Sequence, residues 1–428
     1  MREVAVFGLG FVGLPLALSL AMRGCRVTGV DIDRHHVEAT NAGVTHLREA
    51  CGGVTIREIL RRELEAGRFR ATTDPAEGMQ AGDIIITVGI PVLDGEPEPY
   101  PLTSCLEAVA AGLRPGHLVL VRSTLVPGMM RELVMPALEK SGLAAGNDFY
   151  LAYAPERIAE GRAFEEFRHM PVLVAGVNQA SIERAEALLR VVTEAEIVRG
   201  SSFEVVEAAK LVENISRDVN IALVNELARF TRALGVSIFE VVRLANTHKR
   251  VHLLQPGPGV GGYCLPNALH YLRPKARQLG VTVELLETAR RVNRNMPRYI
   301  ADLVLRHLPV PPGRARVGVL GLAMKDYSND ARQSPALDVV AYLEHAGVEV
   351  RAFDPVVPRA FPFQVESVET ALRGAHGAVI LARQEGIEFY DLATFADLMD
   401  PAGPFIVDTK NVYGNPGVGY PGLRIISL

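Results

Sequence analysis

One six-residue stretch, Gly8-Leu-Gly10-Phe11-Val12-Gly13, constrains the fold of this chain more than any other, because of what flanks it. Before it runs Val4-Ala5-Val6-Phe7, apolar throughout and of the length of a buried strand; after it an apolar helix opens. Strand, glycine turn and helix in that order form the fingerprint of a dinucleotide-binding unit. Gly8 permits the tight turn, Gly10 lets a pyrophosphate approach the backbone, and Gly13 lets the helix pack closely on the sheet. The N–H groups of Phe11, Val12 and the helix start then face the anion. The next apolar run, residues 26–30, leads into Asp31, about twenty residues on, where a carboxylate accepts ribose hydroxyls. A carboxylate there repels a 2′-phosphate, so NAD is expected rather than NADP; Arg34 is the nearby cation that bears on this choice.

Further apolar runs at 84–88, 118–121 and 171–175 alternate with amphipathic stretches, which predicts a parallel sheet with helices on both faces. From 202 to 234 the pattern becomes one long helix, stopped by Gly235. It is too long for a crossover and suits a spine between lobes. A glycine-rich loop at 257–262 follows, then helical periodicity over 281–308, and the proline-rich residues 309–313 read as a linker. Strand, turn, helix and strand then recur and end at Asp354, with an insertion at 324–333 in the turn. The expectation is an α/β chain of two Rossmann-like lobes with parallel sheets, joined by a central helical domain containing a long helix. Its divisions are residues 1–200 for NAD, 201–310 for a helical dimerisation domain, and 311–428 for a second nucleotide lobe. A length of 428 residues exceeds one ordinary core.

A net charge of −4 gives no basis for expecting nucleic acid or an anionic membrane as partner. No apolar run approaches the ~18 residues of a membrane span. The chain enters its first strand without a charged leader, and four irregularly spaced cysteines fit neither a disulfide framework nor a metal knuckle. A reducing, cytoplasmic setting and no metal are expected. Only six lysines stand among 45 basic residues, so a position that keeps lysine invites a chemical reading.

Three segments carry reactive side chains. Ser123-Thr124-Leu-Val-Pro-Gly128 and Ala154-Pro155-Glu156-Arg157 each follow a strand, and Gly257-Pro-Gly259-Val-Gly261-Gly262-Tyr-Cys264 reads as a loop of small residues. Lys210 and Asn214 project from one face of the long helix. Together these resemble, in order and over essentially the full chain, the UDP-glucose/GDP-mannose dehydrogenase family. The resemblance implies NAD on the first lobe, a UDP-sugar on the second, and a helical dimer core. It also implies oxidation of the sugar C6 alcohol to a carboxylate in two NAD-dependent steps.

The residues agree with that chemistry. Oxidation to the acid without release of aldehyde needs a covalent handle, and a thiolate at Cys264, reachable on a loop with backbone N–H groups around it, supplies one. Cys25, Cys51 and Cys105 read instead as buried structural thiols. By resemblance, Lys210 stabilises the oxyanion at C6, Asn214 assists, and Glu156 and Thr124 hold or activate water, with Thr124 also near the cofactor. Arg157 and Gly261 line the substrate. Lys325 falls in the turn where the UDP binds, and Asp330-Ala-Arg332-Gln-Ser334-Pro335 resembles a segment whose arginine reaches NAD. Lys410 in Asp408-Thr-Lys410-Asn411 takes the place of the family's arginine. Arg250 matches an arginine that reaches the neighbouring subunit's substrate, which implies a homodimer.

Two departures stand out. The family has Asp four residues after its nucleophile, whereas this chain has Ala268, beside Asn267; relatives often have Thr-Pro where Ile90-Pro91 stands. Losing a general base costs ~10²–10⁴ in rate. Either Glu156, Lys210 or water covers the role, or the protein is a slowed, truncated or inactive member that binds nucleotide sugar. Residues 155–166 resemble the branch acting on 2-acetamido sugars, so UDP-N-acetylmannosamine or UDP-N-acetylglucosamine is expected ahead of UDP-glucose. The β-hydroxyacid dehydrogenases share the glycine fingerprint and a Lys–Asn pair, but lack the loop cysteine and the second nucleotide lobe.

Overall fold

The computed structural model of this chain describes residues 1–388, 390–414 and 420–428. It divides into two compact units, residues 1–212 with 270–280, and residues 213–269 with 281–428.

The first unit is built on an eight-stranded sheet. Its strands lie in the order Ile197–Arg199, Val172–Gly176, Tyr150–Tyr153, Leu118–Val121, Asp83–Ile86, Glu3–Phe7, Arg26–Val30 and Phe69–Thr72. Every pair is parallel except Tyr150–Tyr153 with Val172–Gly176, which run antiparallel. The hydropathy pattern finds such strands but carries no direction. Here the returning segment holds only the short helix Ala163–His169, and the chain enters the next strand from the opposite end. The central strands are apolar on both faces, as a sheet covered by helices requires; Val4, Ala5, Val6, Leu118, Val119 and Leu120 are fully buried.

The second unit carries a five-stranded, wholly parallel sheet in the order Glu349–Phe353, Arg316–Leu320, Gly377–Ile380, Phe405–Asp408 and Arg424–Ser427. The helix Pro335–His345 crosses between its first two sequential strands, with Ser334 accepting from Ala336 N–H as N-cap and Pro335 opening the first turn. The helix Glu284–His307 contributes Met296, Ile300, Leu303 and Val304 to the same core as Val317, Val319 and Val350. The long helix predicted over 202–234 spans Phe203–Ala233, and Gly235 follows at φ +75°.

The repeat read from the sequence extends to individual hydrogen bonds. In the first unit Gly8 N–H donates to Val30 O and Leu9 N–H to Asp31 Oδ2, both at 2.8 Å. In the second, Gly321 N–H donates to Phe353 O at 2.9 Å and Leu322 N–H to Asp354 Oδ2 at 2.8 Å. The two acids then diverge. Asp31 is half-buried and takes one further bond, from Asp33 N–H at 3.0 Å. Asp354 is buried and also accepts from the N–H groups of Ala323, Val356 and Val357 and from Gln384 Nε2. Asp354→Ala leaves several buried donors unpaired and should cost about 3–5 kcal/mol of stability. Asp31→Ala should cost about 1 kcal/mol. Urea unfolding of the two variants gives the comparison, and equal losses would refute the distinction.

Candidate active site

Strand register assembles the site residues of the first unit. Val30, Phe7, Ile86, Val121 and Tyr153 are paired side by side across five adjacent parallel strands. The segment after each of them therefore emerges along one edge, the carboxyl edge where open parallel sheets bind ligands. In order, these segments bring Asp31, residues 8–13, Thr87, Thr124 and Glu156.

The glycine turn fits a dinucleotide. Gly8 has φ +89°, and a Cβ added at Gly13 would overlap the Gly8 carbonyl oxygen. Gly10 is exposed, and a Cβ there would meet nothing within 4 Å, which leaves its backbone open to a pyrophosphate. Thr87 Oγ1 donates to Gly8 O at 2.7 Å and secures the turn from the neighbouring strand. Phe11 packs edge-on against His46, and Arg34 is exposed at the first residue of the helix Arg34–Asn41, past Asp31.

Glu156 is anchored. One carboxylate oxygen pairs with buried Arg122, whose guanidinium also lies over the Phe167 ring; the other accepts from the N–H groups of Arg157 at 2.7 Å and Ile158 at 3.0 Å. A carboxylate offers about four acceptor directions, so three contacts leave room for one water. Arg157 reaches the carbonyl of Pro171. The loop carrying Thr124 is held by Glu207, fully buried on the long helix, which accepts from Gly128 N–H at 2.6 Å and Met130 N–H at 2.8 Å. Burial pushes the Glu207 carboxyl up although both amides favour its ion. Lys210, one turn further along that helix, is 8% exposed, which excludes the reading of it as a solvent-facing lysine.

In the second unit, Asn214 is likewise 8% exposed. The glycine loop lies against the turn that follows the strand Arg316–Leu320. A Cβ at Gly261 would stand 2.7 Å from Gln333 O and 2.6 Å from Pro335, and one at Gly262 would run into the Met324 sulfur. A Cβ at Gly257 would lie 3.8 Å from Lys410 Nζ. That turn also contains two non-glycine residues at positive φ, Tyr327 at 55° and Gln333 at 49°. The register rule holds here too: Phe353, Leu320, Ile380 and Asp408 are aligned, so Lys325, Arg383 and Lys410 follow the carboxyl ends of the sheet. Lys410 pairs with Asp326 at 3.0 Å, Arg383 binds the carbonyls of Lys410 and Asn411, and buried Asp408 caps Lys410 N–H. Lys325 is exposed, Arg332 lies on Asp330 at 2.6 Å, and Arg250 is exposed ahead of the loop.

Cys264 departs from the loop expectation. It is the first residue of the helix Cys264–Gln278 and is exposed. Three residues on, Asn267 is buried with its Nδ2 lacking a partner among the described residues, and Ala268 is 1% exposed. Arg122, Glu207, Asn220, Asn225 and Arg383 were not singled out by the sequence; for Glu207, Asn220 and Asn225, an acid and two amides inside the apolar pattern of the long helix were the available signal. Among the described residues no cluster of His, Cys, Asp and Glu suits a metal, and no helix is long and apolar enough to cross a membrane.

Comparison with known proteins agrees with this geometry. Three sequence profiles of the UDP-glucose/GDP-mannose dehydrogenase family match in succession: its NAD binding domain at residues 2–193, its central domain at 204–295 and its UDP binding domain at 318–415. The UDP-N-acetyl-D-mannosamine dehydrogenase of Pyrococcus horikoshii is 34% identical over 98% of this chain and 97% of its own. The solved UDP-D-ManNAc dehydrogenase structure from that organism superposes with a TM-score of 0.90, covering 99% of both chains. The Salmonella typhi protein of the same name is 31% identical over 96% of this chain and 99% of its own. The UDP-N-acetyl-mannosamine dehydrogenase Cap5O of Staphylococcus aureus, 30% identical, superposes with a TM-score of 0.86 over all of this chain and 98% of its own.

The thiols differ in environment. Desolvation pushes the Cys105 thiol up to about 12 and raises Cys25, so both stay protonated at neutral pH, whereas Cys264 is exposed; Cys51 and Cys105 are half-buried rather than buried as the structural reading assumed. Brief iodoacetamide treatment of the folded protein at pH 7.5, with sites read by peptide mass spectrometry, should label Cys264 well ahead of Cys25 and Cys105. Equal labelling of all three would contradict these placements.

Proposed function

Since the chain belongs to the UDP-glucose/GDP-mannose dehydrogenase family and is a NAD-dependent UDP-sugar dehydrogenase, we propose that its sugar is UDP-N-acetyl-D-mannosamine and its product the uronic acid. The observation that carries the four-electron reading is the placement of Cys264, exposed at a helix start among backbone N–H groups, while Cys25 is buried and the half-buried Cys105 thiol is held protonated. The substrate assignment rests on the full-length relatives and on the 155–166 segment.

NAD would be held at the turn 8–13 with Asp31 on the ribose and would supply the hydride acceptor, a fresh molecule replacing NADH for the second oxidation. The chain's own residues do the rest. Lys210 and Asn214 hold the C6 oxygen as its proton departs and negative charge develops, and low exposure makes those contacts stronger than they would be in water. Sγ of Cys264 then bonds to the aldehyde carbon, giving a thiohemiacetal. Loss of the second hydride leaves a thioester, and water cleaves the C–S bond to yield the carboxylate and the free thiol. Thr124 and the remaining acceptor direction of Glu156 hold water, while Arg157, Gly261, Lys325 and Lys410 bind the substrate, the lysines facing the diphosphate charge. Arg332 serves the cofactor.

The carboxylate that the family resemblance implies at position 268 is dispensable for this turnover. Ala268 is sealed from solvent, so Asp placed there carries a desolvation penalty as well as any gain in base strength. UDP-glucose is the alternative substrate. The decisive assay counts NADH formed per limiting sugar, with UDP-N-acetylmannosamine, UDP-N-acetylglucosamine and UDP-glucose in separate reactions. About two NADH per UDP-N-acetylmannosamine are expected, with Cys264→Ala unable to pass about one. Absence of turnover with all three sugars would sink the proposal and favour a nucleotide-sugar binder. Ala268→Asp should change kcat by less than about threefold; a gain of ~10² would show that the natural site is impaired.

We also propose a homodimer. Leu223 and Phe230 on the long helix and Leu234 just past its end are 48%, 61% and 60% exposed at spacings of seven and four, an apolar stripe along one side, and Arg250 is exposed for a neighbouring subunit's substrate. Sedimentation at micromolar concentration should give twice the chain mass, and a monomer would exclude the shared-arginine role.

A further inference from the structure

The loop that leads to Cys264 has almost nothing of its own to hold it. Of residues 257–262 four are glycine, and Gly259 sits at φ +138°. Its fixation comes from outside, through the long helix. Asn220 donates to His252 O at 2.7 Å and accepts from Leu254 N–H at 2.8 Å. Five residues on, Asn225 accepts from Gly257 N–H at 2.9 Å and donates to Asn293 Oδ1 at 2.9 Å. Asn293 in turn donates to Asp218, to the carbonyl at 2.8 Å and to Oδ1 at 2.9 Å, and Arg290 completes the array on Asp218 Oδ1 at 2.8 Å.

Three features mark this as more than helix packing. Asn225 and Asn293 are 0% and 1% exposed, and Asp218 and Arg290 are buried with them. The Asp218 carboxylate can only accept, so it orients Asn293; that amide orients Asn225, which then turns an oxygen to Gly257 N–H. The array thus has one polarity, with a charge at its far end strengthening each bond toward the loop. Finally, a Cβ at Gly259 would stand 3.1 Å from Asn293 O, so the residue that orients Asn225 also walls the loop.

We propose that Asn225 and Asn293 are positioning residues for Cys264, fixing the glycine loop through Gly257 N–H so that the thiol is presented at the height the second oxidation requires. The proposal rests on Cys264 as the nucleophile. It predicts a defect of a particular kind, because the first oxidation needs no thiol whereas thioester formation does. A displacement of about 1 Å costs on the order of 10²-fold in such a step.

The test compares Asn225→Leu, which loses both partners, with Asn225→Asp, which keeps an acceptor for Gly257 N–H. With limiting sugar and a carbonyl trap, Asn225→Leu should fall from about two NADH per sugar toward about one, and the trapped aldehyde should appear; Asn225→Asp should stay near two. A merely structural role would lower the rate of both oxidations together and leave the ratio at two, which would overturn the proposal. If Asn225→Leu is insoluble, Asn225→Ser, too short to span both partners, is read in the same way. Iodoacetamide labelling of Cys264 gives a readout independent of sugar turnover: its rate in Asn225→Leu should differ from wild type by more than about threefold, and an unchanged rate counts against the array. Wild-type protein that turns over none of the three sugars defeats the functional reading instead, and labelling alone then decides the positioning role.

Discussion

The loops at the carboxyl edges of both sheets are placed by the hydrogen-bond register of parallel strands. Five residues of the first sheet and four of the second are aligned across adjacent strands, so the segments after them emerge at common edges. A slip of one residue in any of these strands would turn its side chains to the other face and withdraw its loop from the edge. The fully buried valines, leucines and isoleucines of the central strands therefore set the position of Thr124, Glu156 and Lys410 as surely as any contact those residues make.

The long helix resolves a difficulty that glycine-rich loops create. A loop that must admit a pyrophosphate or a sugar cannot carry bulky anchors of its own, yet a mobile loop cannot orient a reaction. Buried polar side chains of the helix hold such loops by their backbone: Glu207 takes the amides of Gly128 and Met130, while Asn220 and Asn225 take those of Leu254 and Gly257. The cost is desolvation, visible in the raised carboxyls of Glu207 and Asp218, which even their donors do not offset.

The features legible in the sequence were those whose meaning is local. The turn at 8–13, Asp31, the twofold strand–turn–helix order and the stop at Gly235 each follow from a few adjacent residues, and the observed elements match the expected ones to within a residue or two at most ends. Strand direction was not legible: residues 171–175 read as one more parallel strand, yet Val172–Gly176 runs against Tyr150–Tyr153. Nor was the start of the helix at Cys264, because Gly261, Gly262 and Pro266 suggest a continuing loop. Arg122, Glu207 and Asn225 went unnoticed for another reason. Each is an ordinary residue in its own segment and acquires a role only through a partner between 32 and 79 positions away.

The unequal fates of Asp31 and Asp354 bear on how two copies of one unit can part ways. In the first copy the acid keeps a free side and remains available to a ligand, so drift at that position is felt as a change in what is bound. In the second the same acid has become a knot in the backbone, tied to the amides of four residues and a glutamine. Drift there is felt as unfolding, whatever the ligand. The side chains proposed for recognition in the second copy, Lys325 and Lys410, stand apart from that knot. At such positions one cation can stand for another without disturbing the architecture beneath it, which is how Lys410 of Asp408-Thr-Lys410-Asn411 fits where the family resemblance implies an arginine.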